Sequence, residues 1–248
     1  MVRPNFYVPS KDPYNGGEGS ITKASQDEAD WVMLDGTPAT CTQLGLFHLF
    51  QFRPPIDLVV SGPNYGRNVT TLFSLSSGTL GGAMEAATFR YRAIALSFAF
   101  WSRAHDQKII GPACDHAVRI VEHLASNWGG DIDLYSVNVP LVKDVDKAKV
   151  YLTPILDNKW RSGSSFEEVS TRALEEDPEN KEKAIREDET VPTLTKGTDQ
   201  KRTFQWKPTF ADVQASIEES EEGNDGWAIT RGCSRLIDLQ MPFVMLLY

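Results

Sequence analysis

Five residues of one stretch have the types and spacing that chemistry with an anion requires. In Asp57 to Phe100, DLVVSGPNYGRNVTTLFSLSSGTLGGAMEAATFRYRAIALSFAF, Asn64 and Asn68 stand four apart around Gly66, and Ser77-Gly78-Thr79 opens a helical run. A helix start presents N–H groups that lack partners, at the positive end of its dipole. Ser77-Gly78-Thr79 adds two hydroxyls there, so a phosphate would need little else to hold it. Asn64 and Asn68 bring neutral amide groups, and an asparagine oxygen can ligate a hard cation. Each residue alone has a plainer reading: Ser77 or Thr79 as a helix cap, the asparagines as turn formers. At the end of one buried strand they read together as a site, because ligands of open α/β sheets bind at the carboxyl ends of strands.

The elements that must position them follow from the hydrophobic pattern. Ile56 to Val60 reads as a strand buried on both faces, ended by Ser61-Gly62-Pro63-Asn64. A polar loop leads to the helical run Leu80 to Tyr91, and a second apolar strand, Ala93 to Phe100, closes a parallel crossover. Upstream, Trp31 to Leu34 is a strand ended by Asp35-Gly36. Thr37 then caps a helix with Pro38 at its first position, running to about Phe52, largely buried, with His48 as a core histidine. Downstream, Ala113 to Asn127 is an amphipathic helix with His116 and His123 on its polar, exposed side, and Leu134 to Val139 is a strand. Lys149 to Thr153 is a short extended piece, Phe210 to Glu219 a helix, and Gly223-Asn224-Asp225-Gly226 a turn. Met84, Phe89 and Trp101 read as core packing. The strands at 31–34, 56–60, 93–98 and 134–139 are expected to be parallel members of one sheet. The fold class is α/β: three layers, a mostly parallel sheet with helices on both faces.

Composition narrows the function. The 248 residues carry 41% hydrophobic and 24% charged side chains, ordinary for a globular chain with a sizeable core. The net charge of −9 is local: Glu167 to Glu189 holds ten acidic and four basic residues, leaving −3 for the rest. That acidic segment, 162–203, reads as a solvated or disordered insertion, and no basic stripe suggests nucleic acid. No apolar run reaches the ~20 residues of a membrane helix. The start, Met1-Val2-Arg3-Pro4, has no secretory signal, and Cys41, Cys114 and Cys233 have no metal or redox spacing. The expected compartment is the reducing cytoplasm.

SGPNYGRN, SSGTLGGAMEAA and AIALSFAF, with LDGTPATC before them and LYSVNVPL and GNDGWAI after, resemble the SurE-like phosphatase/nucleotidase domain. The likeness is strongest to its fungal branch, where that domain can be joined to a tubulin–tyrosine-ligase-like ATP-grasp domain. It implies one Rossmann-like SurE domain over residues 1–248, incomplete at the N-terminus, with a divergent tail over 233–248. It further implies a metal-dependent phosphomonoesterase (5'/3'-nucleotidase, acid phosphatase class) using Mg²⁺ or Mn²⁺. Its substrates would be nucleoside monophosphates or other phosphomonoesters, and a homo-oligomer is consistent with the family. By the same likeness Asn64 matches the metal-ligating asparagine, and Asn68, Ser77, Gly78 and Thr79 match the phosphate contacts.

The family's Asn-Asp-Asp-Gly metal motif, carried by its first βα unit, is not found in this sequence. A dication wants anionic oxygens, so catalysis is expected to be impaired. Asp35 would share an edge with Asn64 in a parallel sheet and is the substitute ligand, although an Asp before Gly is ordinarily a turn residue. The alternative function is a non-catalytic phosphate- or nucleotide-binding or scaffold module, a fragment of a larger fungal protein.

Overall fold

The structure is a computed structural model that describes residues 2, 4–8, 20–22, 31–51, 53–100, 107–169 and 203–239. Trp101, residues 170–202 of the acidic segment and the tail from 240 lie outside them. The described residues form two compact units, 1–156 with 221–248, and 157–220.

The first unit is built on strands β1 (Pro4–Val8), β2 (Ser20–Thr22), β3 (Trp31–Leu34), β4 (Val59–Tyr65), β5 (Ala93–Ala99), β6 (Leu134–Pro140), β7 (Val150–Leu152) and β10 (Ser234–Leu239). The main sheet has the order β4-β5-β6-β10-β7, with β4, β5 and β6 parallel, β10 antiparallel to β6, and β7 parallel to β10. All seven residues of β5 and all seven of β6 are buried, as strands covered on both faces require.

Helices cover both faces. Pro38–Leu44 (α1) continues as one π-helical turn over Gly45–Leu49, and Gly78–Thr88 (α3) follows the short helix Thr70–Leu75 (α2). Leu80, Ala83, Ala86 and Ala87 of α3 pack on Ala93, Ala95 and Leu134. On the opposite face Ala113, Ala117, Ile120 and Leu124 of α4 (Gln107–Ser126) pack on Ile94, Leu96, Phe98, Tyr135, Val137 and Val139. The alternation of strand residues between these clusters is the two-residue period of a pleated sheet. The result is the expected three-layer α/β fold.

Several expectations are corrected. Trp31–Leu34 does not join the main sheet: β3 pairs antiparallel with β1 in a separate three-stranded sheet, β2-β1-β3. Trp31 is 65% exposed, too exposed for a central strand. The second strand begins later than Ile56 and runs through Ser61-Gly62-Pro63-Asn64 rather than ending there. It does so with a register shift between Ser61 and Asn64 and a cis Gly62–Pro63 peptide. As an edge strand it leaves Val60 41% exposed, so it is not buried on both faces.

The polar loop expected after Asn64 contains α2, and no residue of α1 or its π turn is fully buried. His48 and Phe89 are exposed, although the Phe89 ring meets Phe47 edge-on at 4.7 Å. His116 is buried rather than exposed, its Nε2 3.0 Å from Ser234 Oγ, and burial with the Arg119 charge lowers its pKa. Its position in the amphipathic pattern hides this, because the partner, Ser234 of β10, is 118 residues further along the chain.

The second unit holds an antiparallel ribbon, β8 (Phe166–Val169) with β9 (Thr203–Trp206), and helix α5 (Phe210–Glu218). Asp212 accepts hydrogen bonds from the Arg161 and Ser162 N–H groups, both 2.9 Å, and Arg161 forks onto Glu219. The beginning of the acidic segment is thus anchored and paired.

Gly62 has φ 122°, and a Cβ built on it would lie 2.3 Å from the Leu96 carbonyl oxygen. Gly62→Ala is therefore expected to destabilise by about 3 kcal/mol or more in urea unfolding. Gly81, inside α3 with open space around it, should instead gain about 0.5–1 kcal/mol on substitution by Ala. Equal effects at the two glycines would contradict the described strand path.

Candidate functional site

The site lies where the main sheet ends and α3 begins. α3 runs against β4, and a Cβ on Gly82 would stand 2.6 Å from Ser61 Oγ. One turn back along α3, and three residues on along β4, this puts the helix start on the edge that carries Asn64.

α1 reaches the same place. A Cβ on Gly78 would stand 3.0 Å from Pro38 Cγ, and one on Gly82 would be 3.3 Å from Pro38 Cβ. Thr42 Oγ1 donates to Gly82 O at 3.0 Å, and Gln43 Nε2 to Glu85 Oε1 at 2.5 Å. Residues 38, 42 and 43 thus meet 78, 82 and 85 in order, so the two helices run parallel with their N-termini side by side. Glycine at 78 and 82 is what lets them approach so closely.

Thr37 caps α1, its hydroxyl accepting from Thr40 N–H at 3.2 Å, and Ser77 caps α3, accepting from Leu80 N–H at 3.1 Å. The Gly78 and Thr79 N–H groups find no acceptor among the described residues. They are the free donors that two adjacent positive helix ends would aim at an anion.

Asn68 plays a different part. It is only 8% exposed, its side-chain amide donates to Ser97 Oγ at 2.8 Å, and its backbone N–H donates to Asn138 Oδ1 at 2.9 Å. Its carbonyl accepts from Asn138 Nδ2 at 3.3 Å and from Arg235 Nη2. These partners form a row: Asn64, Ser97, Asn138 and Arg235 are register neighbours on β4, β5, β6 and β10. Register neighbours share a face, so the row is a polar band beyond the Ala93–Ala95 packing of α3. Arg67, between the two asparagines, lies over the Phe73 ring, 5.9 Å from its centre.

Behind the row is a buried ion pair that sequence reasoning missed. Arg235 Nη1 lies 3.2 Å from Asp225 Oδ2, with both side chains 0% exposed. Burial lowers the Arg235 pKa to about 10, and the Asp225 charge opposes that fall. Asp225 follows Asn224, the cap of helix α6 (Asp225–Thr230), so the turn expected at 223–226 is a helix start. The signal was present in the sequence, as an arginine inside the apolar run of β10.

The described residues do not offer a dication the ligands it needs. Asn64 is half-buried and its Nδ2 donates to Gly66 O at 3.2 Å, leaving one neutral oxygen. Asp35 follows β3, which belongs to the other sheet, so the parallel-sheet argument that put it beside Asn64 no longer holds. Asp225 is occupied: Oδ1 accepts from Leu156 and Gly226 N–H, both 2.8 Å, and Oδ2 from Thr70 N–H at 2.6 Å. Among the described residues no three His, Cys, Asp or Glu side chains are grouped to hold a metal.

The family model described as Survival protein SurE matches residues 12–162, more than half of the chain. The chain belongs to the SurE family. It is 42% identical over 139 residues to the Saccharomyces cerevisiae protein named Probable tubulin--tyrosine ligase PBY1, covering 54% of this chain and 18% of that one. It is 40% identical over 137 residues to the 5'-nucleotidase SurE of Ruegeria pomeroyi, covering 53% and 51%. With the 5'-nucleotidase SurE of Methanosarcina acetivorans it shares 29% over 178 residues, 64% and 65%. The chain thus spans less than two thirds of the length of these relatives. The crystal structure of the SurE protein from Aquifex aeolicus overlays 87% of this chain and 71% of its own, with TM-score 0.54 and 21% identity, which shows the shared fold. Among the described residues no helix is long and apolar enough to cross a membrane.

The polar row carries a measurable load. Asn138→Ala leaves both the N–H and one acceptor bond of buried Asn68 unmade, and is expected to cost about 3 kcal/mol in urea unfolding. A cost under about 1 kcal/mol would show that water replaces Asn138 readily.

Proposed function

We propose that this SurE-family chain binds the phosphate of a nucleoside monophosphate or similar phosphomonoester at the start of α3. The Gly78 and Thr79 N–H groups are the principal donors, and the Thr79 hydroxyl a third. The observation that carries this is the parallel packing of α1 and α3, which sets two positive helix ends side by side where the first N–H groups of α3 are free among the described residues. Ser77 acts as the cap that shapes the turn, and Asn68 as the buried anchor of the loop, rather than as open phosphate contacts. Asn64, at the same edge, would present its amide toward the ester or toward a metal.

The 5'-nucleotidase names of the bacterial and archaeal relatives favour hydrolysis of such an ester by those proteins. A divalent cation such as Mg²⁺ or Mn²⁺ would supply Lewis-acid activation of phosphate and water in that chemistry. The residues described here supply one neutral oxygen toward it, so binding without turnover is the reading for this chain. Cys41, Cys114 and Cys233 are free thiols, which suits a reducing cytoplasmic setting.

Titration with inorganic phosphate and with AMP, followed by NMR, should move the amide signals of Gly78 and Thr79 before others. Hydrolysis of p-nitrophenyl phosphate and nucleoside monophosphates with added Mn²⁺ or Mg²⁺ should stay at the protein-free blank. Unmoved Gly78 and Thr79 signals would refute the site. Metal-dependent turnover lost in Asn64→Ala or Asp35→Ala would refute the binding-only reading.

A further inference from the structure

Thr70 holds a conformation that its chemistry disfavours. Its φ is 64°, in the left-handed region, where a β-branched side chain crowds its own backbone. The residue is fully buried and its Oγ1 has no hydrogen-bond partner, so its side chain offers no compensation. The backbone around it is what holds it. Thr70 N–H donates to Asp225 Oδ2 at 2.6 Å, and Thr71 N–H to Leu156 O at 3.0 Å. The Leu156 N–H itself donates to Asp225 Oδ1. Two residues before Thr70, Arg235 Nη2 donates to the Asn68 carbonyl.

The Asp225–Arg235 pair is poorly built for stability alone. Arg235 Nε and Nη1 are buried without a hydrogen-bond partner, although Nη1 is 3.2 Å from the Asp225 carboxylate. A buried ion pair offsets its desolvation only when its remaining donors are satisfied. Its two ends do, however, grip the chain at Asn68 and at Thr70. From Thr70 the six residues of α2 lead to Ser76 and then to the cap Ser77, whose N–H is bonded to Ser74 O at 3.2 Å.

We infer that Asp225 and Arg235 are positioning residues that clamp Asn68–Thr70 in its left-handed turn and so aim Ser77-Gly78-Thr79 at a bound phosphate. The inference rests on the phosphate reading above. The clamp acts from α6 and β10, which precede and follow a single tight turn, on a loop more than 150 residues earlier in the chain.

The test compares the wild-type chain with Arg235→Met, Thr70→Gly and the double variant, using inorganic phosphate as the probe. Glycine adopts the left-handed conformation without crowding, so Thr70→Gly makes the turn independent of the clamp. Arg235→Met should shift the Asn68–Thr70 amide signals and weaken phosphate binding by about tenfold, as a misplaced donor pair does. Thr70→Gly combined with Arg235→Met should restore the phosphate Kd to within about twofold of wild type, while the thermal midpoint stays low because Asp225 is still unpaired. A purely structural pair would lose stability and binding together, with no rescue by glycine, and that result overturns the inference.

Should Arg235→Met fail to fold, Asp225→Asn with Arg235→Met removes both charges and must give the same amide shifts and the same loss of affinity. Unchanged Asn68–Thr70 signals there overturn the clamp. Should phosphate move neither Gly78 nor Thr79 in the wild type, the phosphate reading fails by itself. The clamp then stands or falls on hydrogen exchange at the Thr70 amide, which must quicken by about tenfold or more in the charge-free double variant.

Discussion

Both backbone polar groups of Asn68 are held inside the protein, and the rest of the site depends on that grip. Asn138 takes the N–H with its oxygen and gives its amide to the carbonyl, where Arg235 also donates. A buried amide left unpaired costs about 1–3 kcal/mol, about twice the net gain of an ordinary hydrogen bond. The loop between β4 and α2 therefore has one well-satisfied path through the core. The register of four strands makes this possible, because Asn64, Ser97, Asn138 and Arg235 fall in one row on one face.

From that anchor the geometry is carried outward by short, stiff pieces. α2 brings the chain to Ser77, and α3 returns along the sheet with its alanines and Gly82 turned inward. Small side chains on α3 let it sit close both to β4 and to α1. Close approach is what brings two helix starts together, while the Gly78 and Thr79 N–H groups, as the first of their helix, have no intrahelical acceptor. Burial and charge alone would not have done this, since the same helices spread further apart would each present only one weak positive end.

Much of this was legible in the residues. The apolar run from Ala93 and the run from Leu134 to Val139 read as strands, and the structure has them so, buried along their whole length. Thr37-Pro38 and Ser77-Gly78-Thr79 announced helix starts through capping chemistry. Other features depended on contacts that no local pattern encodes. Trp31–Leu34 is apolar enough for a central strand but pairs antiparallel with β1, and only long-range pairing decides that. Gly62 and Pro63 looked like a stop, yet the strand absorbs them through a shift in register. Asp225 read as a turn residue because its role is set by Arg235, Thr70 and Leu156, all distant in sequence from it or from one another. His116 falls on the polar side of its helix pattern, yet its ring is buried against Ser234 of β10, a contact made across 118 residues of sequence.

The most direct test of this account is a crystal structure of the chain grown with AMP. The account predicts phosphate oxygens about 2.7–3.2 Å from the Gly78 and Thr79 nitrogens, the distance of an N–H···O hydrogen bond. The Asn68 carbonyl should still be bonded to Asn138 and Arg235. Phosphate bound elsewhere, with the start of α3 open to solvent, would contradict it.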